Sequence, residues 1–489
     1  MINTGVPNSL NRPQTFHTFS FFRAGGSLTN VPLRIALIGA QRSTATAAVN
    51  TVSDLSNKST DEVDALYGSS SELALMFREA IACANLFQRG PRVFAVGIAE
   101  SSGVANVQTI TGTGAATADG NIIVRVAGRT VIVGVASGTS ANNIATAISN
   151  ELKKIQTTLP VIVSVATSVV TLTHATKGIN GVDVKVSVDQ AVAGNTQAVA
   201  TTVVGTNATD HQPALDALSP LRYDGIVFAN HVGADITEIA SDLAVRWGAQ
   251  SKNWGFYFVG EMGTIGTATA LAAAANDKAV VVSSFEGCLN TAGEIATATA
   301  MLVFSRERPN ASYDGAAVPL YPPPVGTIYT PGEVETAIAA GLTAFTAIVD
   351  STGSVTANRG KCERMVTTKT TTSSQPDDKL RDIGIPRVSV ALAIQLDIAT
   401  AQRFGAEANP DGVFQTDDTK DQVKDMISSI WRAEAAANVI NPKFVEADIA
   451  QTVVEFDTVT LGRTNSALFY HPVGSQHQIA FQHNSTIGA

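Results

Sequence analysis

Asp224-Gly225-Ile226-Val227-Phe228-Ala229, Trp254-Gly255-Phe256-Tyr257-Phe258-Val259 and Lys278-Ala279-Val280-Val281-Val282-Ser283 are three short apolar runs. Helical patterns separate them. After the first run, Asp235 and Glu238 cap a helix that carries Ile236, Ile239, Leu243 and Trp247 on one face and closes at Gly248. After the second comes the small-residue helix Ala268 to Ala275, and after the third Thr291 with Glu294 opens another. Strands that alternate with helices predict a largely parallel, helix-covered sheet.

Upstream the same grammar recurs. Leu33 to Gly39 and Pro91 to Gly97 read as buried strands. Ser59-Thr60-Asp61-Glu62 is a capping box whose helix ends at Gly68, and Ser69 with Glu72 forms a second box. Leu73, Phe77, Ala80, Ile81 and Ala84 then share one helical face. Residues 31–103 and 209–325 therefore form one α/β central domain.

Between them, residues 104–208 change character. Aromatic residues vanish and Thr, Val, Gly and Ala dominate. Ile122 to Val126 and Thr130 to Val135 form a hairpin near Gly128, and Ser140 caps a helix bearing Ile144, Ile148, Leu152 and Ile155. Val161 to Val165 and Val169 to Thr173 follow as strands. The alternation of Val182, Val184, Val186 and Val188 with polar residues predicts a half-buried strand. This is a small β-rich domain inserted into a larger one.

The ends differ again. Residues 1–30 read as an extended arm in which Phe16, Phe19, Phe21 and Phe22 lie among strand formers, a segment that needs a partner surface. After the proline-rich stretch 306–325, residues 326–448 form a C-terminal α/β domain. It holds a helix from Thr330-Pro331, two strands or a strand and a helix over 361–405, and a helix over Thr419 to Ala437. Residues 449–489 are a β segment and second arm, with Val453, Val454 and Phe456 the candidates for pairing with another subunit. The fold class is α/β to α+β and multidomain, as 489 residues exceed one hydrophobic core.

Composition narrows the function. The chain is 45% hydrophobic and 15% charged, against about 25% charged in an average soluble protein, which suggests surface buried in an assembly. A net charge of −9 with no basic run argues against a nucleic-acid partner. Met1 to Leu10 has no apolar core of an export signal, and no apolar run reaches the roughly 18 residues of a membrane span. Cys83, Cys288 and Cys362 are too few and too scattered for a disulfide framework or a zinc site.

Three constellations invite a chemical reading. Gly260-Glu261-Met262-Gly263-Thr264-Ile265-Gly266 sits between strand and helix, where a nucleotide phosphate binds in other folds. Its spacing is neither G-x-G-x-x-G nor a P-loop, and a tight turn is the plain reading. Glu407 to Asp418 falls on calcium-loop spacing, but Glu407 at the first position, Pro410 and the short Asp418 at the last oppose it. His471, His477 and His483 are too far apart on a strand to share one ion. No catalytic set, metal set or cofactor motif emerges, so the sequence predicts no enzyme, no metal and no cofactor.

The most particular stretches are Gly128-Arg129-Thr130-Val131-Ile132-Val133, Gly138 through Ile148, Leu159-Pro160-Val161 and Val169 to Thr173. With them go Asp64-Ala65-Leu66-Tyr67-Gly68 and Ser71-Glu72-Leu73-Ala74. In this order they resemble the tail sheath protein of Mu-like contractile-tailed bacteriophages, and the resemblance extends over nearly the whole chain. It implies a virion structural subunit, assembled in the host bacterial cytoplasm. Such subunits stack with copies of themselves as hexameric rings around a tail tube protein, between baseplate and tail terminator proteins. Arms of one subunit add strands to its neighbours, and contraction drives the tube through a bacterial envelope for genome ejection. A phage-tail-like bacteriocin sheath has the same features. From other classes, a nucleotide-binding α/β enzyme with a β accessory domain and a cell-surface fibre are the competing readings.

Overall fold

The computed structural model describes residues 33–229, 232–248, 251–306, 308–323, 329–349, 355–372, 375–376, 380–404 and 416–435, and the short strands 445–447, 453–456, 464–467 and 470–472. The chain divides into two compact units. One joins the described residues of Pro32–Ser305 with those of Gly315–Arg381, and the other joins the described residues of Arg306–Asp314 and Asp382–Ala489.

The larger unit is built on a nine-stranded sheet. Its order is Ala317–Val318, Val355–Arg364, Leu342–Val349, Val280–Ser284, Phe256–Glu261, Gly225–Phe228, Arg34–Ala40, Arg92–Ile98 and Val52–Asp54. Strands from Leu342–Val349 through Arg92–Ile98 run parallel, and antiparallel strands close both sides. Leu342–Val349 and Val355–Arg364 come from the segment expected to begin a separate domain at 326, and they extend this sheet instead. Every residue of Gly225–Phe228, Phe256–Glu261 and Val280–Ser284 is buried, as parallel strands covered on both faces must be. Helix Ala292–Ser305 is buried at all its positions. Its Ala, Gly and Thr side chains let it lie close on the strands and on helix Glu72–Phe87.

The insertion forms two antiparallel sheets. One is ordered Thr196–Val203, Val107–Thr113, Val169–His174, Val161–Ala166, and the other Arg129–Val135, Gly120–Val126, Val186–Gln190. Helix Ala141–Lys154 is capped by Ser140, as read from the sequence, and buries Ile144, Ile148 and Leu152 in a core shared with Ile110, Ile122, Val124 and Leu172. The hairpin turns through Ala127 and Gly128, at φ 47° and 75°, the left-handed pair that matches strand twist. One expectation fails here. Val182 lies in a 3-10 turn, Ile179–Asp183, and the strand begins only at Val186. Within that turn Gly181 packs closely under His174 and Asn106, and the Asn106 amide donates to its carbonyl at 2.9 Å.

In the smaller unit, helices Gly384–Phe404 and Asp417–Ala435 bury Val388, Leu392, Met426 and Ile427 against each other. The Arg387 guanidinium donates to the Tyr313 hydroxyl. Gly384–Arg403 is long and apolar enough to cross a membrane, contrary to the sequence expectation that no stretch is. Its inward residues Val388 and Leu392 are covered by protein.

Candidate functional site

In open parallel sheets, ligands bind beyond the carboxyl ends of the strands, where the chain switches direction from one side of the sheet to the other. Here that point lies at Ala40, since Arg34–Ala40 has Arg92–Ile98 on one side and Gly225–Phe228 on the other. Glu72 fills it. The sequence suggested a Ser69–Glu72 capping box, but Ser71 is the N-cap and accepts from the Ala74 N–H. Glu72 is thereby freed to turn inward. Its Oε2 accepts the Ala40 N–H at 3.1 Å, and its Oε1 accepts from Thr176 Oγ1 at 3.2 Å and Asn180 Nδ2 at 2.9 Å. Thr176 and Asn180 belong to the insertion. Ser70 Oγ adds a bond to the Gln156 carbonyl at 2.8 Å. The cavity left beside Glu72 and His174 is about 10 Å³, room for a water at most. The insertion thus plugs the crevice.

The glycine loop is closed in a similar way. Glu261 is buried, and its Oε1 accepts the Gly263 N–H at 2.6 Å. Glu286 Oε2 accepts the Ile265 N–H at 3.3 Å, and Thr264 caps helix Ile265–Ala275 through the Thr267 N–H. Two carboxylates occupy the donors that a phosphate would need, and their charge suits the positive helix end while repelling an anion. Gly260 serves packing. A Cβ there would lie 2.1 Å from the Ala292 carbonyl oxygen.

A third junction was invisible in the sequence. Arg129, at the start of an insertion strand, reaches Glu294 at 3.6 Å and lies 4.3 Å over the Tyr321 ring. Glu294 is buried, and so is Glu79, which accepts from the Cys83 thiol at 3.6 Å. Burial and then the Glu294 charge push the Glu79 carboxyl well above its usual 4.5, against a downward pull from Arg129. Because the folded value is raised, Glu79 favours the folded state below about pH 4.5, and that contribution is lost as pH rises toward the folded value. Glu79→Gln should therefore stabilise the protein near pH 8 and not near pH 4. Denaturant midpoints at the two pH values check this, and an equal effect at both would contradict it.

His211, Asp235 and Glu238 have three potential ligand atoms within 4.8 Å of one another. The sequence reading treated the two acids only as helix caps. Asp235 Oδ1 faces His211 Nδ1 at 3.2 Å, and its Oδ2 accepts the Val232 N–H at 2.8 Å. The acids sit at the positive end of helix Gly233–Arg246, which opposes a cation. What the group does is tie the chain returning from the insertion to that helix.

Of the predicted arm residues, Phe16, Phe19, Phe21 and Phe22 lie outside the described residues. Val453, Val454 and Phe456 are in strand Val453–Phe456, which pairs antiparallel with Thr464–Ala467 of the same chain. Val454 packs against the helix-pair core. Strand Val445–Ala447 pairs with Tyr470–Pro472, placing His471 opposite Glu446. His477 and His483, and residues 407–415 of the calcium-like loop, also lie outside the described residues. Cys83, Cys288 and Cys362 are buried.

No protein-family model matches the chain, and no curated protein matches it. Among solved structures it is similar to a sheath tail protein from Desulfitobacterium hafniense, at 13% identity over 94% of this chain and 100% of that one, with a TM-score of 0.45. A sheath tail protein from Listeria innocua is similar at 12% identity over 90% and 94%, with a TM-score of 0.46. Domains D1 to D3 of a flagellar cap protein from Escherichia coli match 36% of this chain and 71% of theirs at 13% identity, with a TM-score of 0.13.

Proposed function

We propose that this chain is the structural subunit of a contractile tail sheath of the Mu-like kind, polymerising as stacked hexameric rings around a tail tube. Two lines support the reading. The first is the sequence resemblance carried by the stretches from Gly128 to Thr173. The second, and the observation that carries most weight, is the closing of the strand-end crevice by Glu72, Thr176 and Asn180. A sheet with its ligand crevice filled by its own insertion suits assembly better than turnover.

The junctions also suit the mechanical task. Contraction requires two packings of the same rigid bodies, with the extended one metastable. An insertion locked to the body by Arg129, Glu72 and Ser70 passes force instead of absorbing it. Free energy released on repacking then drives the tube and needs no nucleotide. Rings, tube, baseplate and terminator partners, the arm exchange and a virion location all belong to this proposal.

Deleting residues 1–25 should leave a folded chain that does not form tubes, because the arm completes a neighbour and not its own core. Circular dichroism with negative-stain microscopy reads both properties. Tubes from the truncated chain would sink the arm model.

A further inference from the structure

Asn180-Gly181 is the one Asn-Gly pair in the sequence, and it lies where the insertion meets the body. An asparagine before glycine is prone to lose its side-chain amide, because the glycine has no Cβ to hinder its nitrogen from reaching the asparagine Cγ. The docked structure holds this chemistry back in three ways. The pair is wound into the 3-10 turn Ile179–Asp183. Backbone angles of that kind turn the Gly181 nitrogen away from the Asn180 side chain, whereas ring closure needs the two to eclipse. Gly181 is buried, with His174 and Asn106 packed against it and the Asn106 amide donating to its carbonyl at 2.9 Å. Asn180 Nδ2, the group that would leave, donates to Glu72 Oε1 at 2.9 Å.

The last restraint comes from the body. The same Glu72 oxygen accepts from Thr176 Oγ1 at 3.2 Å, and Thr176 in turn accepts the His174 ring through its carbonyl at 2.7 Å. One carboxylate of helix Glu72–Phe87 therefore pins both ends of the stretch 176–180 that leads into the turn. Parting the insertion from the body releases that pin, and a single 3-10 turn has few bonds of its own to keep it closed.

We infer that Asn180 is a deamidation site gated by the docking of the insertion, and that its conversion bars the insertion from docking again. In the opened turn, hydroxide takes the Gly181 N–H proton and the nitrogen attacks Asn180 Cγ. The Cγ–Nδ2 bond breaks, and the side-chain nitrogen departs as ammonia. Water then opens the five-membered imide at one of its two carbonyls, leaving aspartate or isoaspartate at position 180. No oxidant or reductant takes part. Aspartate sets a second carboxylate against Glu72, which is only 7% exposed, and removes the donor that Glu72 held. Isoaspartate lengthens the backbone by one methylene in a turn where Gly181 has no slack against His174 and Asn106. The junction is thus a one-way latch, in a monomer as in an assembly.

Peptide mapping by mass spectrometry of the full-length chain, held at mildly alkaline pH with and without urea, measures amide loss at Asn180. Loss from the native chain should be at least about tenfold slower than from the unfolded one. Thr176→Val keeps Asn180, Gly181 and Glu72 and removes one bond of the pin, so it should speed native loss about fivefold. Asn180→Asp, made directly, should raise amide hydrogen exchange over residues 174–184 about tenfold and leave strand Val280–Ser284 unchanged. Absence of amide loss at Asn180 even in urea would overturn the site. Equal native and unfolded rates, or no acceleration by Thr176→Val, would overturn the gate. Unchanged exchange in Asn180→Asp would overturn the one-way latch.

Discussion

Arg129→Ala should lower the unfolding free energy by about 3 kcal/mol, because it leaves buried acids without their positive partner. Glu294 is 4% exposed and Glu79 likewise 4%, so neither carboxyl reaches bulk water when the guanidinium is gone. The Tyr321 ring also loses the cation stacked on it. The Arg129 side chain is 21% exposed, which keeps the effect at the lower end for a buried pair. Urea denaturation measures it. Glu294→Gln in the Arg129→Ala background should recover part of the loss, since an amide is cheaper to bury than an unpaired carboxylate. A loss below about 1 kcal/mol would show that the pair behaves as an exposed one and that the insertion is held by its other bonds. The same reasoning modifies any experiment that excises residues 104–208. Excision removes Arg129, Thr176 and Asn180 together and strips partners from Glu72 and Glu294.

Gly260→Ala should cost about 3 kcal/mol or more, while Gly263→Ala should cost about 1 kcal/mol or less. The two glycines look equivalent in the sequence. Their surroundings differ in what would have to move. A Cβ at Gly260 meets the Ala292 carbonyl oxygen at 2.1 Å and the Ala296 nitrogen at 2.9 Å, both backbone atoms of a wholly buried helix. A Cβ at Gly263 meets the end of the Glu261 side chain at 2.9 Å, and a side chain can rotate away. Thermal melts of the two variants check the contrast. A nucleotide-binding loop would give the opposite signature, with Gly263 variants losing ligand affinity at little change in melting temperature.

These two predictions also mark how far the sequence could be read. Strands such as Ile226–Phe228 and Val280–Val282 announce themselves because a strand buried on both faces needs an unbroken apolar run. The insertion stands out by its composition, and its Ser140-capped helix by spacing. What the sequence hid are partnerships set by tertiary packing. Glu72 stands three residues after Ser69 as a cap-box acid would, yet its carboxylate turns to Ala40, Thr176 and Asn180, residues 32 to 108 positions away. Nothing near Arg129 foretells Glu294 or Tyr321. The sequence leaves Gly384–Phe404 open between strand and helix because its apolar residues are spread round the helix, which erases the period that separates a helix from a strand. The candidate arm was legible only as a need, four phenylalanines without a surface.

The central claim is that the chain exists to polymerise. Electron microscopy of the purified protein at high concentration, with and without a tail tube as template, tests it most directly. The account predicts tubes or stacked six-fold rings, even in a minor fraction. A species that stays small and monodisperse with the tube present, and that binds a nucleotide tightly, would contradict it and return attention to the loop from Gly260 to Gly266.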